Sequence, residues 1–178
     1  MHRVLKWNPP GVWVIGLFCK TRFHFQMDIN SELPFSKISR VFNDGAYEMS
    51  DVYSFISGAL LSVCADDKNI ASLEMVADEI IANIMSYAYE EGSNKWITLE
   101  ICVKDETATI TFMDGGRPFD PLNDAPIPDI SLPSDERELG GLGIYIVRSV
   151  MDDVSYSRDG NINILTTRKK IKARSGNR

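Results

Sequence analysis

Histidine is nearly absent from this chain. Only His2 and His24 occur in 178 residues, so a zinc site built on imidazole has almost no ligands to draw on. Cysteine is also scarce. Cys19, Cys64 and Cys102 are widely spaced, odd in number and form no C-x-x-C pair, which argues against a disulfide framework and fits reduced thiols in a cytoplasm. Excess positive charge is missing as well. The formal charge is −6, the wrong sign for a protein that grips a phosphate backbone. The one basic cluster is terminal, Arg168, Lys169, Lys170, Lys172, Arg174 and Arg178, and reads as a solvated end. Direct nucleic-acid binding is therefore not expected. A long hydrophobic run is missing too. "GVWVIGLFC" (11–19) follows Arg3 and Lys6, but a bilayer needs about 20 apolar residues. Lys20 and Arg22 come next, with no small-x-small cleavage site, which argues against an export signal. A translation start at Met27 would place 1–26 outside the protein proper, and the intact mass of the native protein tests that idea.

What the chain does have is core. At 44% hydrophobic and 25% charged, it suits one globular domain. "SKISRVFN" (36–43) reads as a strand. "DVYSFISGALLSVCA" (51–65) carries Val52, Phe55, Ile56, Ala59, Leu60 and Val63 at helical spacing, with Ser50 or Asp51 as the cap and Asp66-Asp67 as its end. "NIASLEMVADEIIANIMSYAYEEG" (69–92) is the strongest helix. Leu73, Val76, Ile80, Ile84 and Tyr87 share a face, and Gly92 supplies a stop. "KWITLEICVK" (95–104) and "TATITFMD" (107–114) alternate and flank a hairpin turn at Asp105-Glu106. "IYIVRSVMDD" is a short amphipathic helix, and the last two strands flank Asp159-Gly160. Consecutive hairpins predict a mixed, mostly antiparallel sheet with helices on one face, a two-layer α/β sandwich.

Three places carry chemistry. Glu79 and Asn83 lie four apart on the long helix, about 6 Å along its axis. A carboxylate can take a proton, and a carboxamide oxygen is a hard, neutral ligand suited to Mg²⁺. Alone, the pair reads equally as a solvent-facing edge. "DGGRPFDP" (114–121) places Asp114 at a strand end, where its carboxylate can accept a hydrogen bond from an exocyclic amine. Gly115 and Gly116 permit unusual backbone angles or the approach of a flat ring, although a type I′ turn would use the same residues. Gly140, Gly141 and Gly143 precede a helix, where bare N–H groups and the positive helix end favour an anion. A hinge for the preceding loop is the plainer account. That loop, 120–139, holds four prolines and six acidic residues without periodicity, and so long an irregular segment is more often functional than idle. Neither a G-x-x-x-x-G-K-[ST] phosphate loop nor a Rossmann glycine motif is present.

Taken in order, "DEIIANIMSYAY", "DGGRPFDP" and "GGLGIYIVRSVMDDVSY" resemble the N, G1 and G2 boxes of the Bergerat-fold ATPase superfamily, which includes DNA gyrase and the sensor histidine kinases. Within it the chain is most similar to the bacterial anti-sigma regulatory factor serine/threonine kinases of partner-switching systems. The resemblance spans about residues 36–171. It implies a Bergerat ATP-binding fold, ATP and Mg²⁺ as ligands, and transfer of a phosphoryl group to a small STAS-type antagonist. It also implies a sigma factor as alternative partner, a possible homodimer, and a cytoplasmic location without membrane contact. It places the general base at Glu79, the magnesium ligand at Asn83, the adenine-reading carboxylate at Asp114 and a ring-closing glycine at Gly116. It adds Pro118, Gly140, Gly141, Leu142 and Gly143 to the nucleotide contacts, and Arg137 at the end of a lid formed by 120–139. The domain division it implies is an N-terminal extension over 1–34, the ATP-binding kinase domain over 35–172 and a basic tail over 173–178. Two positions depart from the family pattern. Tyr87 stands where histidine is frequent. On the closing strand, where threonine is usual, Asn161 or Asn163 comes nearest and Thr166 falls late. A non-catalytic nucleotide-binding module that sequesters its partner and a simple ATPase would carry the same boxes. A sensor histidine kinase would need a phospho-acceptor histidine on a helical hairpin, which His2 and His24 do not offer.

Overall fold

Strict alternation of apolar and polar residues makes a strand that buries one face, and two central strands of this chain do so along their whole length. In Trp96–Lys104 the buried positions are Ile97, Leu99, Ile101 and Val103, and in Thr107–Asp114 they are Ala108, Ile110, Phe112 and Asp114. The structure is a computed structural model and describes residues 5–8, 12–15, 26–27, 37–61, 66–126, 128 and 141–171.

Eight strands and three α-helices are described. The first three strands, β1 (Leu5–Asn8), β2 (Val12–Ile15) and β3 (Gln26–Met27), pair antiparallel in a small sheet of their own. The main sheet holds β4 (Lys37–Asn43), β5 (Trp96–Lys104), β6 (Thr107–Asp114), β7 (Asp153–Asp159) and β8 (Ile162–Lys170), in the order β4-β5-β6-β8-β7. All four of its ladders are antiparallel. Helices α1 (Met49–Leu61), α2 (Asp67–Asn83) and α3 (Leu142–Val150) contribute Val52, Ile56, Leu60, Leu73, Val76, Ile81 and Val147 to the core formed with the buried sheet face. This is the expected two-layer α/β sandwich. Each fully buried Leu, Ile or Phe in such a layer contributes about 1.5–3 kcal/mol relative to exposure. Among the described residues, no helix is long and apolar enough to cross a membrane.

The helix boundaries differ from the sequence expectation, for local reasons. Asp66 caps α2, its carboxylate accepting the Asn69 N–H at 2.8 Å; it starts that helix rather than only ending α1. Helix α1 begins at Met49, with Asp51 accepting the Glu48 N–H at 3.0 Å. The long helix does not run to Gly92. It passes at Ile84 into a π-helical turn, Ile84–Ala88. The wider turn shifts the residues after it around the axis, and Tyr87, expected on the apolar face, is 67% exposed. Lys95 donates to the Met85 carbonyl at 2.7 Å, tying the π turn to the chain entering β5. Asp105 and Glu106 both adopt positive φ, 47° and 57°, as a two-residue type I′ hairpin requires. The basic cluster is not all tail. Arg168 pairs with Asp153 across β7 and β8, and Lys169 donates to the Val150 carbonyl at 2.6 Å, where a cation suits the C-terminal end of α3. Residues 172–178 lie outside the described residues.

Candidate functional site

The alternation of β6 decides where its last residue goes. Ala108, Ile110 and Phe112 point at the helices, so Asp114 does too, and it is 4% exposed. A carboxylate placed so deeply must be hydrogen-bonded. The Gly116 N–H reaches Asp114 Oδ1 at 2.8 Å, and Asn163 Nδ2 reaches the same oxygen at 2.9 Å. Both bonds load Oδ1, and among the described residues no hydrogen bond is made to Oδ2. Asn163 faces Asp114 because β6 and β8 pair these two residues directly. The same register puts Thr166 opposite Thr111, an odd step from Asn163 and so on the other face of the sheet. Of the closing-strand candidates, Asn163 is the one beside Asp114.

Asp114 floors a cavity of about 550 Å³, a volume typical of small-ligand sites. Asn83, Tyr87, Phe119, Pro126, Gly141, Leu142, Gly143, Tyr156 and Leu165 also line it. The cavity thus joins α2, the π turn, the start of the 120–139 loop, the N-terminus of α3 and strands β6 to β8. Of the residues singled out in sequence, Asn83, Asp114, Gly141, Leu142 and Gly143 meet here. Glu79 is not on the wall but stands directly behind Gly143: a Cβ built on Gly143 would lie 2.5 Å from Glu79 Oε2 and 3.2 Å from Asn83 Nδ2. A side chain there would have to displace the flexible ends of Glu79 and Asn83, so glycine leaves both of them in place.

Gly116 and Pro118 are not brought to this cavity. They line a neighbouring hollow with Tyr89, Arg117 and Arg158. The space in front of Gly116 is filled by Ala88, whose carbonyl oxygen and Cβ would lie 2.5 and 2.6 Å from an added Cβ. Arg117 N–H donates to that carbonyl at 2.8 Å. Gly116 therefore lets the 115–117 turn pack on the π turn. Tyr89 completes this support. Its hydroxyl donates to the Trp96 carbonyl and accepts from the Gly115 N–H at 3.0 Å. Burial holds the Tyr89 phenol above its usual range, opposed by those two backbone hydrogen bonds and reinforced by the charge of Asp114. Arg137 and Gly140 lie outside the described residues.

Gly141 caps α3 in the left-handed conformation, φ 75°, and a Cβ there would strike the Pro126 carbonyl. Both reasons demand glycine. Gly141 itself offers no capping side chain, and among the described residues no side chain is seen to cap the first N–H groups of α3, the kind of helix start that suits an anion. The first turn of the 120–139 segment is ordered by Asp120, which accepts from Leu122 N and Asn123 Nδ2 at 2.9 and 2.8 Å. Arg148 of α3 ties it down through the Leu122 carbonyl at 3.2 Å. Among the described residues no cluster of three or more His, Cys, Asp or Glu could hold a metal. The donor set fits Mg²⁺ that takes most of its shell from water and phosphate, with Asn83 as a single protein oxygen.

Sequence reasoning missed Arg158, Tyr156 and Leu165. Their signal was the parity of the last two strands, which becomes readable only once the pairing with β6 is known.

The chain is similar in sequence to known proteins. The model of the histidine kinase-like ATPase domain family matches residues 46–169. Serine-protein kinase RsbW of Listeria monocytogenes is 24% identical over 102 residues, covering 56% of this chain and 65% of its own length. Serine/threonine-protein kinase BtrW of Bordetella bronchiseptica is 30% identical over 95 residues, covering 53% of this chain and 66% of its own. The chain thus spans slightly less than two thirds of the length of these curated relatives. The solved histidine kinase AdeS of Acinetobacter baumannii aligns with a TM-score of 0.42 and 15% identity, over 75% of this chain and 67% of that one, a likeness too loose to add to the strand order above.

Proposed function

Because the chain belongs to the histidine kinase-like ATPase domain family, we propose that it binds ATP with Mg²⁺ and transfers the γ-phosphoryl group to a serine or threonine of a partner protein. The observation that carries this reading is the contact at Gly143. It gathers a carboxylate, a carboxamide and an uncapped helix N-terminus at one end of a cavity whose other end is the half-loaded carboxylate of Asp114. The printed names of the relatives, serine-protein and serine/threonine-protein kinase, support the choice of acceptor.

In this reading Asp114 Oδ2 accepts from the exocyclic amine of adenine. The N–H groups opening α3 at Leu142 and Gly143 receive phosphate oxygens. Asn83 offers its carboxamide oxygen to Mg²⁺, which neutralises phosphate charge. Glu79 accepts the proton of the incoming hydroxyl as its oxygen bonds to the γ-phosphorus and the bond to the β-phosphate oxygen breaks, releasing ADP. Such transfer is mostly positioning and charge neutralisation. The resemblance of the three boxes to anti-sigma regulatory factor kinases points to a STAS-type antagonist as acceptor, with a sigma factor as the alternative partner.

Single-turnover transfer from labelled ATP to a STAS-type antagonist tests the reading. Wild type should label a serine or threonine of that antagonist. Glu79→Ala should retain nucleotide binding and lose transfer by 100-fold or more, on the order expected for a general base. Wild-type transfer by Glu79→Ala would remove the assigned base. Steady phosphate release without a labelled acceptor would make the protein an ATPase, and nucleotide binding without turnover would make it a sequestering module.

A further inference from the structure

The amide of Asn163 is 6% exposed in its residue and makes four hydrogen bonds. Nδ2 donates to Asp114 Oδ1 at 2.9 Å and to the Arg117 carbonyl at 3.0 Å. Oδ1 accepts the Tyr156 hydroxyl at 2.8 Å and Arg158 Nη1 at 2.5 Å. A carboxamide can turn end for end at little steric cost, since its oxygen and nitrogen are nearly the same size. Turned over, it would set an oxygen against the Asp114 carboxylate and against a carbonyl. Two acceptors on one side and two donors on the other permit one orientation only. The donors come from β7, where Tyr156 and Arg158 sit two residues apart and so on the same face. Arg158 also reaches the Gly116 carbonyl at 3.4 Å, in the turn that gives Asp114 its other donor.

We propose that Arg158 is a positioning residue for nucleobase recognition. It acts through Asn163: the guanidinium holds the amide in one orientation, the amide loads Oδ1 of Asp114, and only Oδ2 is left to read an exocyclic amine. A cation one amide away also offsets the cost of seating a carboxylate in this buried floor. Tyr156 shares the task as the neutral donor. No sequence box contains Arg158. This inference rests on the nucleotide reading above and adds a residue, and a reason for base selectivity, to the same site.

The test compares binding of ADP with binding of IDP, which carries a carbonyl where adenine carries the amine. Wild type should favour ADP. Arg158→Met should lose about tenfold of that preference, the range of a charge-assisted hydrogen bond, and Arg158→Lys, which keeps a cationic donor, should recover part of it. Thr167→Val is the control for a merely structural loss. On β8, the strand of Asn163, it deletes a buried hydrogen bond to the Ile110 carbonyl of β6, and should lower the melting temperature while leaving the ADP to IDP ratio at the wild-type value. An unchanged ratio in Arg158→Met, or an equal loss of ratio in Thr167→Val, overturns the proposal. If wild type binds neither nucleotide, the functional reading itself fails and this inference fails with it. If wild type prefers ADP and Arg158→Met does so equally, only the inference fails.

Discussion

The two ends of the cavity are built by different physics. At the Asp114 end every polar partner comes from the sheet or a turn closed upon it. Asp114 and Asn163 are buried, paired by strand register and locked by Gly116, Arg117, Tyr156 and Arg158. At the Gly143 end the groups come from two helix surfaces. Asn83 is exposed, Glu79 is partly so, and the α3 cap is a bare glycine. One end is finished before a ligand arrives. The other presents a carboxylate, a carboxamide and the glycine-capped start of a helix. Strand register fixes a group to within one side-chain alternation, whereas groups on facing helices keep their places only if nothing crowds them, and here the missing side chain of Gly143 leaves room for the ends of Glu79 and Asn83.

The same small substitution at two glycines would separate these modes. Gly143→Ala places a methyl group against the flexible end of Glu79. The carboxylate can swing away, so the fold should stand while phosphoryl transfer falls by about 100-fold or more, as for loss of a positioned base; a near-normal melting temperature with lost transfer is the expected pair of results. Gly116→Ala instead meets the Ala88 carbonyl, which belongs to backbone. Something must shift, and the expected cost is about 1–3 kcal/mol of stability, read by denaturant unfolding. If Gly116→Ala proved silent in stability while Gly143→Ala unfolded the protein, the contrast between the two ends would be wrong.

Smaller effects sharpen the contrast. If Asn83 holds Mg²⁺ as proposed, Asn83→Ala should weaken nucleotide binding about tenfold in the presence of Mg²⁺ and little in its absence, as measured by titration calorimetry with and without the metal. Tyr89→Phe should cost about 1–2 kcal/mol, since it removes one donor and one acceptor under the 115–117 turn. Its pH dependence has a definite sign. The Tyr89 phenol is raised above 10.0 in the folded state, chiefly by burial, so its stabilisation is complete below that value and is lost as pH rises through the higher folded value. The gap between wild type and Tyr89→Phe should therefore be constant at neutral pH and narrow in strongly alkaline solution.

Much of this was legible residue by residue. The alternation of 107–114 already placed Asp114 on the apolar side of its strand, and the periodicity of 69–84 placed Ile80 and Ile84 toward the core with Glu79 and Asn83 on a separate edge. The lines of the long helix were less secure past Asn83. Nothing in "IMSYA" announces a π turn, because it is held by Lys95, just before β5, and by the bonds of Tyr89, at its own end, to Trp96 of β5 and Gly115 beyond β6. Gly116 was legible as an obligatory glycine but not for its reason, since Ala88 stands 28 positions away and meets it only when the π turn folds back. Arg158 was illegible altogether. An arginine on an edge strand reads as solvated surface until β8 is seen to lie between it and Asp114.

From residue 36 onward the order of strands and helices, the buried faces up to Asn83 on the long helix and along the central strands, and the three polar clusters were determined by the sequence alone, because apolar periodicity and turn chemistry act over a few residues. Which clusters share a cavity, which oxygen of Asp114 takes both hydrogen bonds, and that Glu79 stands behind Gly143 were decided only by the tertiary structure. Those relations depend on strand register and on the distance between helices, and both are set by contacts between residues far apart in the chain.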